Sequence, residues 1–344
     1  MANVPLYSIT KPYLAAAALL SFDPELRLGS VIPELPSVLA PLVLRDVLAH
    51  RSGLDDYAAW PEYHAAVEAR EAAWPESRIL ERLTVTRPAL RDDPAAFSYS
   101  NAGYRLVRMA LEAHHGVGID GVLDRLVLKP LDLGLGHFLR PGDWDAVTGT
   151  HVDGRLRAYD PRWVYHGSLL GDPAEAARGI ALLLSGTLGP ELPRLMLEAR
   201  PVHTPGHPLQ PAAYGLGLMV GGTPNVAGHG GGGPGFELFA AAAPDGSRWA
   251  GHFRRVPDGA RGTSEDSETT TTEATPATKH NAEAVTVGDA SATARTAEAQ
   301  ASAGESAAPE SNGRTDGDPI PRVLSELGER GETVHDPPPA TTGL

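Results

Sequence analysis

Cysteine is absent from the 344 residues, which excludes disulfides, thiolate metal sites and a thiol nucleophile, and leaves the redox compartment without a marker. Lysine is almost absent too: Lys11, Lys129 and Lys279 are the only three. No apolar run approaches the roughly 20 residues that span a bilayer, the strongest being Tyr13 to Leu20. The opening MANVPLYSITK has no cationic stretch followed by an apolar run and a small-residue cleavage site, so no signal peptide is read there and localisation has no marker. A basic excess is also missing. The net charge of −14 argues against a general nucleic-acid binder, which would carry a basic patch or stripe.

Aromatic residues stop at Phe253. From Pro257 to Leu344 sixteen Asp/Glu face six Lys/Arg, a net of −10, so the body carries only about −4. The Thr, Ser, Ala, Glu and Pro that dominate this segment cannot bury enough apolar surface to offset ordering entropy. The expected division is therefore a globular domain over 1–256 and a disordered acidic tail over 257–344, with a transient amphipathic turn at Ile320 to Leu327. Deleting 257–344 is expected to leave folding unchanged.

Within the body, helical periodicity or caps mark Pro12 to Leu20, the LVLRDVLAH stretch, Tyr104 to His114, and a helix opened by Asp172-Pro173 and running to Leu184. Phe236 to Ala242 and Ser247 to Phe253, separated by Pro244-Asp245-Gly246, predict a β-hairpin. Helices in the middle and strands at the end indicate an α+β fold.

Three short patterns could carry chemistry. Ser8-Ile9-Thr10-Lys11 is S-x-x-K; on a helix these positions share a face, so the amine of Lys11 can reach the hydroxyl of Ser8. A serine is a weak nucleophile until a base takes its proton, which a desolvated lysine can do and an arginine cannot. A chance match is the competing reading, but one of only three lysines at this spacing weighs against it. Tyr99-Ser100-Asn101 is Y-x-N, offering a phenol as proton carrier and an amide to orient a carbonyl or hold the lysine; alternatively Asn101 caps the next helix while Tyr99 packs on the core. The run Gly228-His229-Gly230-Gly231-Gly232-Gly233 leads into the Phe236 strand and offers backbone amides to an oxyanion. A phosphate loop is not indicated, since no G-K-[ST] follows; a flexible linker is the remaining alternative. His203 and His207, separated by Thr-Pro-Gly, lack the helical spacing of a zinc site.

In this order the three patterns resemble the serine β-lactamase and penicillin-binding protein superfamily, specifically its class C-like branch. LRDVLAHRSGL, FSYSNAGYRLV, LKPLDL, YGLGL and GHGGGGPGF extend the resemblance over roughly Val4 to Phe253. It implies an antiparallel sheet flanked by helices, with a helical subdomain. It further implies Ser8 as acylated nucleophile, Lys11 as its base or proton shuttle, Tyr99 as proton carrier, and Asn101 as a substrate-positioning amide. His229 stands where the family usually has the lysine of K-T-G. Gly231 and Gly232 are implied as substrate-binding positions, and the oxyanion hole comes from the amides of Ser8 and Gly232. No metal or organic cofactor is implied, and the partner is a small-molecule or peptide substrate. Because histidine is mostly neutral near pH 7, an esterase or D-amino-acid peptidase-like activity is favoured over efficient β-lactam hydrolysis. Members normally place a helix and strands before the nucleophile, so the sheet is expected to lack its N-terminal strands and to expose an edge and part of an apolar face. A truncated, non-catalytic relative acting through its acidic tail is the alternative from a different class.

Overall fold

Four of the helices fall where periodicity and caps put them. In the computed structural model, which describes residues 1–86, 96–203, 207, 209–256 and 319–328, the short strand β1 (Val4–Pro5) leads through a 3-10 turn, Tyr7–Thr10, into helix α1 (Lys11–Ser21). Pro12 sits in the first turn of α1, where its missing N–H costs nothing. Tyr13 to Ala18 are all fully buried, which makes α1 the helix around which the body packs. The short helices α2 (Leu44–Leu48), α3 (Pro61–Glu68) and α4 (Glu76–Arg82) precede α5 (Asn101–His115). Ser100 caps α5 by accepting from the N–H of Gly103 at 3.1 Å, and Gly116 closes it in the left-handed conformation at φ 65°. Next come α6 (Ile119–Leu123), α7 (Gly154–Arg157) and the short strand β2 (Leu170–Gly171). Helix α8 (Pro173–Leu184) follows, capped by Asp172, and then α9 (Glu191–Met196).

Six strands then run consecutively as one antiparallel sheet: β3 (Arg200–Pro201), β4 (Ala212–Tyr214), β5 (Met219–Gly221), β6 (Val226–Gly233), β7 (Phe236–Ala242) and β8 (Trp249–Arg255). The predicted hairpin is β7–β8, with Phe236 opposite Arg255 and Ala242 opposite Trp249. The glycine run leads into the Phe236 strand as expected, and it is also a strand itself, β6, paired with β7 from Ala227 to Gly233. Glycine is a poor strand former, and its use inside a strand marks a place where another backbone comes close.

Both faces of this sheet are covered. Phe236, Leu238, Ala240 and Ala242 of β7 join the main core with Ala176, Ala177 and Ile180 of α8. The alternate residues Phe239 and Ala241 pack with Val226, Leu209 and Ala250 in a second cluster. That cluster is closed by Val323 and Leu327 of helix α10 (Pro319–Gly328). Two expectations are thereby corrected. Residues 319–328 of the segment read as a disordered tail, where Ile320 to Leu327 was expected as no more than a transient amphipathic turn, form a packed helix, and the apolar face expected to be exposed is covered by it. The physical reason is local: Ile320, Val323, Leu324 and Leu327 recur at helical spacing and give ten residues one apolar face. His252 Nε2 lies 2.7 Å from Glu326 Oε1, and Arg248 donates to the carbonyl of Leu327. The rest of 257–344 lies outside the described residues. β8 has no partner on its outer edge among the described residues, and among them no helix is long and apolar enough to cross a membrane.

Candidate active site

The turn Tyr7–Thr10 is fixed from two sides before any chemistry is considered. β1 pairs with β2, Val4 opposite Gly171 and Pro5 opposite Leu170. Leu6 N donates to Leu169 O at 2.8 Å, Tyr7 N to Ser168 Oγ at 2.8 Å, and Leu169 N to Thr10 Oγ1 at 3.0 Å. On the other side lies β6. A Cβ on Gly231 would sit 2.6 Å from Leu6 O, and one on Gly233 would sit 2.4 Å from the Tyr7 ring. The glycines are therefore what lets the turn approach the strand. Tyr7 adopts φ 46°, a left-handed backbone that a bulky residue keeps only when its surroundings over-determine it. Its hydroxyl donates to Pro234 O at 2.8 Å and holds it there.

This strained residue delivers Ser8, half-buried, above the start of α1. Lys11, fully buried, places Nζ 2.8 Å from Ser8 Oγ, 2.8 Å from Asn101 Oδ1 and 3.3 Å from His166 Nε2. Nζ also lies 4.9 Å from the centre of the Tyr99 ring. The S-x-x-K and Y-x-N patterns, about ninety residues apart, thus meet around one amine. The helix-capping alternative for Asn101 is not what the structure holds: Ser100 is the cap, and Asn101 turns its carbonyl oxygen to Lys11.

Asn101 is aimed by Asp56, a residue the sequence patterns did not single out. The Asp56 carboxylate accepts from Asn101 Nδ2 at 2.9 Å and from the backbone N–H groups of Asn101 and Ala102 at 3.0 and 3.1 Å. Burial pushes this carboxyl above its ordinary value, while those three donors pull the other way. The amide orientation follows: Nδ2 faces the acid, so Oδ1 faces the lysine.

Three buried histidines surround the amine. His50, in the HRSGL stretch after α2, accepts from Ser100 N at 3.0 Å and stacks 4.2 Å from the Tyr99 ring centre. It therefore braces the segment that presents Tyr99 and Asn101. His229 of β6 has both ring nitrogens engaged, Nε2 with the Tyr214 hydroxyl at 2.9 Å and Nδ1 with Gly230 O at 2.6 Å. With Nδ1 donating to a carbonyl, Nε2 accepts from the phenol and the ring is neutral. Burial, then the charge of Lys11, lowers its pKa to about 3. His166 and His50 are held well below the usual imidazole range by the same two causes in the same order. Lys11 thus has three neutral imidazoles and an amide among its neighbours. Gly232 is exposed with nothing within 4 Å of a built Cβ. It also lies beyond Val226–Gly228, the only stretch of β6 that β5 pairs with.

His50, Asp56 and His166 went unmarked because a lone histidine or aspartate has no spacing signature. The LRDVLAHRSGL phrase contained His50 but gave it no role.

The family model described as Beta-lactamase matches residues 4–251. Comparison with curated protein sequences finds no match. Among solved structures, a D-stereospecific amidohydrolase from Streptomyces sp. superposes with a TM-score of 0.59 at 22% identity, over 71% of this chain and 79% of that one. The D-amino acid amidase of Ochrobactrum anthropi SV3 in complex with L-phenylalanine gives 0.56 at 20% identity, over 74% and 77%. An octameric penicillin-binding protein homologue from Pyrococcus abyssi gives 0.54 at 20%, over 71% and 60%. At these identities the likeness speaks for the fold.

Proposed function

The chain belongs to the β-lactamase family, and from that premise we propose that it is a serine hydrolase that cleaves amide or ester bonds through an acyl-enzyme on Ser8. The observation that carries the reading is the 2.8 Å contact between Lys11 Nζ and Ser8 Oγ inside a buried, oriented cluster. In its neutral form Lys11 takes the Ser8 proton as Oγ attacks the substrate carbonyl carbon. The oxyanion that forms is received by the amides of Ser8 and Gly232, the latter on the stretch of β6 beyond its pairing with β5. Tyr99, against the Lys11 amine, passes a proton to the departing amine or alcohol. Water then attacks the Ser8 ester, releasing the acid and restoring the serine. No step calls on a metal or organic cofactor.

His229 narrows the substrate. Its ring is neutral and both nitrogens are occupied by protein groups, so this position supplies no cation for a substrate carboxylate. That favours neutral amides and esters over β-lactams. The amidase names of the structural neighbours make D-amino-acid amides and short esters the first substrates to try.

Intact-mass spectrometry after a fluorophosphonate tests the reading, with turnover of D- and L-phenylalanine amide measured alongside. One adduct mapping to Ser8 is expected, absent in Ser8→Ala and slowed roughly 10²–10⁴-fold in Lys11→Arg, because arginine keeps the charge but cannot take the proton. No adduct, or full speed in Lys11→Arg, would overturn it and favour a non-catalytic relative.

A further inference from the structure

His166 lies outside the three patterns, yet it is delivered to Lys11 as firmly as Ser8 is. Its segment runs antiparallel to the nucleophile turn, locked by Tyr7 N to Ser168 Oγ, Leu6 N to Leu169 O and the β1–β2 pairing. Gly167 makes the necessary turn at φ 90°, where a Cβ would sit 2.1 Å from the Phe138 ring. The result is Nε2 at 3.3 Å from Lys11 Nζ in a fully enclosed position.

A neutral primary amine has two hydrogens and one lone pair. To receive a proton from Ser8 it must point the lone pair at Oγ and put both hydrogens elsewhere. Asn101 Oδ1, turned to the amine by Asp56, takes one. We propose that His166 is a positioning residue of the hydrolase, its Nε2 accepting the second hydrogen of neutral Lys11 so that the amine lone pair is directed at the Ser8 hydroxyl. The proposal rests on the serine-hydrolase reading. The role fixes the tautomer: Nε2 accepts, so the proton is on Nδ1. It also needs an uncharged ring, which burial, the largest cause of its lowered pKa, favours in either state of the amine. Once Lys11 is protonated, its three hydrogens face Ser8 Oγ, Asn101 Oδ1 and His166 Nε2, so the same cage holds both forms of the amine.

The test is the pH dependence of fluorophosphonate labelling of Ser8 in wild type, H166L and H166Q, with a thermal melt of each. The titratable and charged groups facing this pair are Tyr99, Tyr104 and Arg108 around α5, His50 behind α2, Asp56, and His229 of β6. All remain in every variant. Leucine removes the acceptor, and glutamine restores an oxygen near the Nε2 position. H166L is expected to lower the limiting labelling rate roughly 10–100-fold. Its acid limb should move to lower pH, because an acceptor that favours the ammonium has gone; H166Q should recover both. Wild-type rate and profile in H166L would overturn the proposal. So would an equal loss in H166Q with the acid limb unmoved, since a merely structural role behaves that way. Should H166L fail to melt cooperatively, H166Q and H166N decide: asparagine's shorter reach must label more slowly than glutamine, and equality of the two would overturn the proposal. Absence of labelling in wild type is a separate failure, that of the hydrolase reading itself.

Discussion

A methyl group on Gly231 would meet the Leu6 carbonyl oxygen at 2.6 Å and Ile9 at 3.3 Å, whereas one on the next residue, Gly232, meets nothing within 4 Å. The two glycines are therefore present for different reasons. Gly231 permits the Tyr7–Thr10 turn to lie against β6, and the nearest atom a Cβ would meet, the Leu6 carbonyl oxygen, is backbone and cannot swing aside as the Ile9 and Leu238 side chains can. Gly232 is exposed and has open space where a side chain would go. Gly231→Ala is expected to displace Ser8 and to reduce labelling at least about tenfold, as a shift near 1 Å does to reacting groups. Gly232→Ala is expected to melt within the ordinary surface range of about 0.5 kcal/mol. Equal melting temperatures for the two variants would contradict the close approach of turn and strand. At this scale the sequence displayed Ser8, Lys11, Tyr99 and Asn101 through fixed spacings. Asp56, His50 and His166 act through contacts between distant segments, which spacing cannot register.

Elements divide similarly. α8 and the β7–β8 hairpin were legible because their signals are local: a proline after an aspartate cap, and two apolar-rich runs separated by the turn Pro244-Asp245-Gly246. β6 was not legible as a strand, since glycine carries no strand preference and its pairing is supplied by β5 and β7. α10 was underestimated for the opposite reason. Ile320 to Leu327 was read as amphipathic but only as a transient turn, because the face it covers exists only once β6, β7 and β8 are assembled. Val323 and Leu327 are buried there to 0% and 1% exposure. Leu327→Asp is expected to lower stability by about 2 kcal/mol or more, through lost burial and an unpaired carboxylate. Deletion of 319–328 should act in the same direction. A urea midpoint unchanged in both would show that α10 does not support the sheet.

For the whole molecule, burying three neutral histidines sets a pH dependence. His229 titrates at about 3 when folded, well below its unfolded value. The unfolded chain therefore binds more protons between those limits. Stability from this group is complete above the unfolded pKa and is lost as pH falls toward the folded one. At pH 5 the loss from His229 is about 2 kcal/mol, and His50 and His166 shift in the same direction. The melting temperature is expected to fall between pH 7.5 and 5, and to fall less in His229→Gln. A flat profile would mean that these rings are not held neutral.

The sequence by itself determined the family, the α+β class and the four residues that meet at the site, because helix caps, the hairpin turn and motif spacing are all written within a few residues of one another. Only the tertiary structure decided that the glycine run is a strand, that Asp56 aims Asn101 and that three neutral histidines neighbour the lysine. It alone decided, too, that a helix some sixty residues past β8 closes the sheet. Each of these is a contact between segments far apart in the chain, and its energy comes from burial and hydrogen bonding that exist only after the chain has folded.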